Sequence, residues 1–173
     1  ASQSLHPWLI PAYKNTTITL EGEVTLTEDL HVNKGDTLII KPNTIIYLGT
    51  GVSIISYGKI IANGTATMPI TFIPLINNNP WGAIVLQGEG ADGSILRHCI
   101  LDGGSGTRYD LVTYTGMVST YNAKMIIDWC IFRNNEIADD AFNAKYTRVE
   151  ITNSEFNTIF SDAIDLDISE GII

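Results

Sequence analysis

Cysteine, basic charge, long apolar runs and helical periodicity are all scarce in this chain, and each shortage removes a class of protein. Two cysteines among 173 residues, Cys99 and Cys130, cannot build a disulfide framework, and their separation matches no metal-binding spacing. Ten Lys and Arg stand against nineteen Asp and Glu, a formal net charge of -9. A surface of that sign repels phosphate, which argues against nucleic acid and anionic lipid and leaves cations, neutral glycans or basic proteins as partners. No apolar run approaches the roughly 20 residues that cross a bilayer, and the first residues lack the basic-then-apolar order of a secretion signal, so no membrane insertion is expected. Nucleophile elbows, phosphate loops, dinucleotide fingerprints and calcium-loop motifs do not occur either. His6, His31 and His98 are scattered and read as ordinary hydrogen-bonding residues.

Hydrophobic residues make up 45% of the chain and charged residues 17%, the balance of a folded domain with a sizeable core. Within it the stretch from Ser94 to Asp102 is echoed from Met125 to Arg133, and more faintly from Val149 to Asn157. Superposed, Cys99 falls on Cys130 and then Ser154, and Leu101 falls on Phe132 and then Phe156. Small and large residues recurring at fixed places are the mark of a solenoid, whose rungs must fill one continuous core.

Short runs earlier in the chain alternate as strands do. The expected inward pairs are Ile18 and Leu20, Val24 and Leu26, Leu30 and Val32, Leu38 and Ile40, Ile45 and Tyr47, Ile60 and Ala62, and Ile70 and Phe72. Turn residues separate them at Gly22, Gly35, Pro42-Asn43, Gly49 to Gly51 and Asn63-Gly64. Val24 recurs in role at Ile45, Leu38 at Ile60 and Leu30 near Val52, a period of about 21 to 22 residues. The reading is an all-β, right-handed parallel β-helix with three short strands per rung and about six or seven rungs stacked ~4.8 Å apart. Residues 1–15, broken by Pro7 and Pro11 around Trp8 and Tyr13, read as a cap on the first rung. Residues 16–173 form the β-helix domain. It stops at Ile173 just after a strand, so it is expected to be truncated at its C-terminal end, with end-to-end contact through an uncapped rung as the alternative.

Residues 23–72, with Thr37-Leu38-Ile39-Ile40-Lys41-Pro42-Asn43-Thr44-Ile45-Ile46-Tyr47, Gly58-Lys59-Ile60-Ile61-Ala62-Asn63-Gly64-Thr65 and Pro69-Ile70-Thr71-Phe72, then Trp81-Gly82-Ala83-Ile84, resemble the opening rungs of bacterial right-handed parallel β-helix repeat domains of the pectate-lyase-like superfamily. Residues 145–171, with Asp162-Ala163-Ile164-Asp165-Leu166, are similar to later rungs of that kind. The resemblance implies a bacterial protein at the cell surface or outside the cell. It spans lyases, hydrolases, adhesins and passive surface modules, so it implies fold more sharply than activity.

The repeat makes its own register test. Stacking Cys99 on Cys130 sets Arg97 beside Asp128 and Asp102 beside Arg133, two complementary outward pairs. A second offset of 22 residues sets Asp140 beside Asp162, Asn143 beside Asp165, Lys145 beside Asp167 and Arg148 beside Glu170. The stacked cysteines lie within reach of a disulfide, and two unbridged inward thiols are the simpler arrangement.

Ten of the nineteen carboxylates follow residue 127. With Ile164, Leu166 and Ile168 inward, Asp165 and Asp167 point outward beside Asn143 and Lys145. Asp140, Asp162, Asn143, Asp165 and Asp167 are therefore candidate ligands for a hard cation such as calcium, although no cofactor is required and wet outward positions carry charge anyway. Lys145 is the candidate base for a calcium-assisted polysaccharide lyase, opposed by the carboxylates around it, which raise a lysine pKa. Trp129 shares a turn position with His98 and Asn153 and is expected to be exposed. With Tyr109, Tyr114, Tyr121 and Tyr146 it forms the candidate carbohydrate-binding set, unless the tyrosines of the long connection 103–122 simply cover the helix wall. The sequence thus favours a non-catalytic extracellular module that binds glycan or acts as a rigid surface element, with a lyase or glycoside hydrolase on the face of Asn143, Lys145, Asp165 and Asp167 as the alternative.

Overall fold

The computed structural model describes residues 15–135 and 137–173, so the expected cap lies outside the described residues except for Asn15. The first rung is β1 (Thr17–Leu20), β2 (Glu23–Leu26) and β3 (Leu30–Val32). The second is β4 (Thr37–Ile40), β5 (Ile45–Leu48) and β6 (Ile54–Ser56), and the third is β7 (Lys59–Asn63), β8 (Ile70–Pro74) and β9 (Ile84–Gln87). In the fourth, β10 (Ser94–Arg97) and β11 (Cys99–Asp102) are followed by a hairpin, β12 (Thr107–Tyr109) and β13 (Val112–Tyr114), before β14 (Gly116–Tyr121) closes the turn. The fifth is β15 (Met125–Asp128), β16 (Ile131–Asn135) and β17 (Asp140–Lys145). The sixth is β18 (Arg148–Thr152), β19 (Glu155–Ile159) and β20 (Asp162–Asp167), and β21 (Glu170–Ile172) begins a seventh.

Every third strand joins the same sheet. The first sheet runs β1-β4-β7-β10-β15-β18-β21, the second holds β2, β5, β8, β11, β16 and β19, and the third holds β3, β6, β9, β14, β17 and β20. All pairs within these sheets are parallel, which makes the chain a parallel β-helix with three strands per rung. The core lies inside the three walls and stacks like on like: Leu38 on Ile60, Ile127 on Leu96, and Leu101 on Phe132 on Phe156. The Phe132 and Phe156 rings are nearly parallel at 4.8 Å. Cys99 and Cys130 are stacked, buried and free. Burial holds the Cys99 thiol well above the usual cysteine range.

The corners explain how short strands hold a register. His98, Trp129 and Asn153 occupy one corner at φ 46°, 54° and 51°, and Gly88, Asn122, Tyr146 and Ile168 occupy another at 79°, 50°, 54° and 48°. For a non-glycine residue the left-handed conformation costs roughly 1–2 kcal/mol. It is offset because the turn N–H then donates to the next rung: His98 to Asp128 O at 3.0 Å, Trp129 to Thr152 O at 3.1 Å and Tyr146 to Asp167 O at 3.0 Å.

Several details depart from the sequence reading. In β5 the inward residues are Ile46 and Leu48, not Ile45 and Tyr47. Buried Thr44, whose hydroxyl donates to Lys41 O at 2.7 Å, takes an inward place and shifts the phase by one. Val24 accordingly stacks on Ile46, and Leu30 stacks on Ile54 rather than near Val52. The period is not uniform, running from 20 residues between Thr17 and Thr37 to 34 between Ile61 and Ile95, because turns of different length are extruded at the corners. Ile168 is 78% exposed, placed at a corner instead of in the core. Residues 103–122 are not one connection, since β14 at their end is a core strand carrying Met117 and Val118.

Phe132 is fully buried and Phe156 only partly so, so their truncations should differ. In urea unfolding, Phe132→Ala should lose about 3–5 kcal/mol through the cavity it leaves, and Phe156→Ala distinctly less. Equal losses would contradict the register of β16 and β19. Both cysteines should resist a thiol reagent in the native protein and titrate as two free thiols after denaturation without reductant.

Candidate functional site

The sequence-derived candidates fall at three separate places. The first is the corner between the first and second sheets. A left-handed residue there turns its side chain away from the core, which is why Trp129 stands 55% exposed. One face of its indole rests on the His98 imidazole, with centroids 6.0 Å apart and planes 19° apart. The next corner residue, Asn153, is turned aside: its Nδ2 donates to Asp128 Oδ1 at 2.9 Å. Trp129 and His98 line a groove of about 260 Å³ together with Ile100, Ile131, Pro69 and Glu155.

Asp128 is the anchor of this corner. Its carboxylate accepts from Arg97 Nε at 3.0 Å, Thr152 Oγ1 at 2.9 Å and Asn153 Nδ2. The Asn153 amide, then the Thr152 hydroxyl and the Arg97 guanidinium, hold the carboxyl below the usual aspartate range against its partial burial. The matching pair on the second sheet is Arg133 with Asp102, Nε to Oδ2 at 2.7 Å.

The second place is the outer face of the third sheet. The hairpin lies over it, burying Ile55 and Val85 under Tyr114, with Tyr57, Tyr109 and Val112 packed alongside. The Tyr109 ring meets His31 at 5.5 Å, and the Tyr114 hydroxyl donates to Gln87 Oε1. Burial, reinforced by Tyr57 and Asp110, pushes the Tyr114 phenol up to about 12. Of the five aromatic candidates, Tyr114 is 4% exposed and serves as a cover, and Tyr109 packs beside it. Tyr121 and Tyr146 meet edge to face at 5.4 Å, both exposed, at the corner between the third and first sheets and apart from Trp129.

The third place is the acidic face beyond the hairpin. The 22-residue offset holds: Asp140 pairs with Asp162, Asn143 with Asp165, Lys145 with Asp167 and Arg148 with Glu170. Asn143 Nδ2 donates to Asp165 Oδ2 at 2.9 Å, and Lys145 Nζ meets Asp167 Oδ2 at 2.9 Å. That hydrogen bond raises the Lys145 pKa and lowers that of Asp167. Asp140 differs from its neighbours in being 2% exposed, with Asn143 equally buried. Among the described residues no group of three or more His, Cys, Asp or Glu side chains is placed to hold a metal ion.

Sequence reasoning missed three participants. His98 reads as uninformative until the register puts it under Trp129, a signal the aligned repeats contain. Thr115, the single residue between β13 and β14, and Asn135, the last residue of β16, adjoin Asp140 and have no such signal. The arrangement as a whole is that of a parallel β-helix displaying an exposed aromatic corner and an acidic face. No family model, curated protein or solved structure matches the chain significantly.

Because the Asp128 pKa is lower in the folded state, its contribution to stability is complete above the ordinary aspartate pKa and is lost as pH falls through the depressed folded value. Unfolding free energy followed from pH 7 to pH 2 should therefore decline on the acid side less steeply in Asp128→Asn than in wild type. Superimposable acid limbs would show that the carboxylate anchors nothing.

Proposed function

We propose that this chain is a non-catalytic β-helix module that binds neutral glycan at the Trp129 corner and otherwise acts as a rigid surface element. The observation that carries the reading is the half-exposed indole, fixed by backbone geometry and backed by His98, beside a groove lined by aliphatic Ile100 and Ile131 and by polar Glu155 and Asn153. A sugar ring presents an apolar C–H face to an aromatic plane and hydroxyls to amide and carboxylate groups. The net charge of -9 favours neutral over anionic sugars. The resemblance of residues 23–72 to bacterial β-helix repeats of the pectate-lyase-like superfamily supports a place outside the cell, on a bacterial surface or in a secreted protein.

The catalytic alternative asks for a base on the acidic face. Lys145, hydrogen-bonded to Asp167 at 2.9 Å, is held in its protonated form and offers a charge rather than a base at neutral pH. No observation favours the lyase reading over the module.

On an array of neutral oligosaccharides the wild-type chain should bind a restricted set. Trp129→Ala should weaken the best of these at least tenfold, about 1.4 kcal/mol, with an unchanged melting temperature. Retained affinity in Trp129→Ala, or binding confined to uronate polymers, would exclude this site.

A further inference from the structure

The corner between the second and third sheets contains oxygen atoms without partners among the described residues. Asp140 is 2% exposed and Asn135 0% exposed, yet Asp140 Oδ2, Asn135 Oδ1 and Thr115 Oγ1 are all buried without a hydrogen bond to any described residue. The three residues are tied together by their other atoms. Asn135 Nδ2 donates to Asp140 O at 2.9 Å, and the Asp140 N–H donates to Thr115 O at 3.3 Å. Two of the orphaned atoms, a carboxylate oxygen and an amide oxygen, can only accept while Asp140 is ionised, so they cannot satisfy each other.

Buried oxygen atoms left unpaired bear the full cost of desolvation, more when charged, unless a hydrogen-bond donor or a cation meets them. We propose that Asp140, Asn135 and Thr115 form a small oxygen-lined site for a hard cation at this corner. Carboxylate, amide and hydroxyl oxygens are the donors such ions take. Asp162, in register with Asp140 on the next rung, and neighbouring Asp139 and Asp165 add negative potential. With no ion bound, burial is the largest influence raising the Asp140 pKa, and these three carboxylates add to it. The Thr115 hydroxyl stands near enough to oppose that rise in part, though without full hydrogen-bond geometry. A cavity of about 350 Å³ between the hairpin and residues 137–139, lined by Thr115, Asp139 and Arg108 among others, borders the corner on its Thr115 side. The donor set contains a single buried carboxylate and so is distinct from an outward calcium site on Asp165 and Asp167.

The test is thermal unfolding and calorimetry of the full chain with calcium, sodium or choline chloride at equal ionic strength. Choline, whose methylated ammonium takes no inner-sphere oxygen ligands, is the control. The expected result is a saturable rise in melting temperature with calcium or sodium over choline, lost in Asp140→Asn and kept in Asp165→Asn. In choline alone, Asp140→Asn should melt at or above wild type, since a neutral isostere removes the buried charge. Should that variant not fold, Thr115→Val carries the test and should weaken the cation at least severalfold. No ion-specific shift in wild type would overturn the proposal, leaving Asp140 a protonated or water-bound acid. A shift that survives Asp140→Asn and Thr115→Val but is lost in Asp165→Asn would also overturn it, moving the ion to the outward face.

Discussion

The continuous rung-to-rung backbone ladder, carried around the corners by left-handed residues, is the constraint on which the rest of this structure depends. Strands of three to six residues make few hydrogen bonds each, and a stack of such strands joined by loose turns would slip. Here the turn N–H of His98, Trp129, Asn122 or Tyr146 bonds to the rung above, so the ladder does not stop where a strand does. The register then becomes a property of the whole stack. Core stacking of Leu101, Phe132 and Phe156 and the outward pairs Arg97 with Asp128 and Asp102 with Arg133 follow from it. Exposed ion pairs of this kind contribute only about 0–1 kcal/mol each, so their value lies in marking the register, since a slip of one or two residues would set each charge beside an uncharged neighbour.

The same constraint decides where chemistry can be displayed. A left-handed corner residue cannot face the core, so an aromatic residue there becomes a surface feature whatever its hydrophobicity. Trp129 is the clearest case, and it contrasts with Trp81, which is fully buried and donates its Nε1–H to Asp102 O at 2.6 Å. The third sheet shows the opposite treatment. Its outward Ile55 and Val85 would be exposed, and the chain inserts a hairpin to cover them with Tyr114. Two tyrosine candidates therefore serve packing, while the corner tryptophan is left open to solvent. Beyond the hairpin the outer face changes from apolar to acidic, and at the corner beside it Asp140 is the carboxylate whose burial needs an explanation.

Much of this is legible in the sequence wherever one rung resembles the next. The alignment of Cys99 with Cys130 yields both ion pairs, the Phe132 and Phe156 stack and the shared corner of His98, Trp129 and Asn153. The offset of 22 residues yields the Lys145 and Asp167 contact. Legibility fails where turns differ. Thr44 is polar and yet inward, which hides the phase of β5, and Ile168 is apolar and yet at a corner, so alternation alone assigns it to the core. The hairpin belongs to no repeat. Thr115 and Asn135 meet Asp140 from the end of the hairpin and the end of β16, placements that no spacing rule encodes, so the cluster becomes visible only in three dimensions.

The most direct measurement is an NMR titration of the indole Nε1–H resonances with a neutral oligosaccharide chosen from an array. Trp129, assigned by its loss in Trp129→Phe, should shift progressively and saturate, while the Trp81 resonance, hydrogen-bonded in the core, stays in place. Saturable binding that leaves the Trp129 resonance unmoved would contradict the account, because the ligand would then sit on some other part of the β-helix.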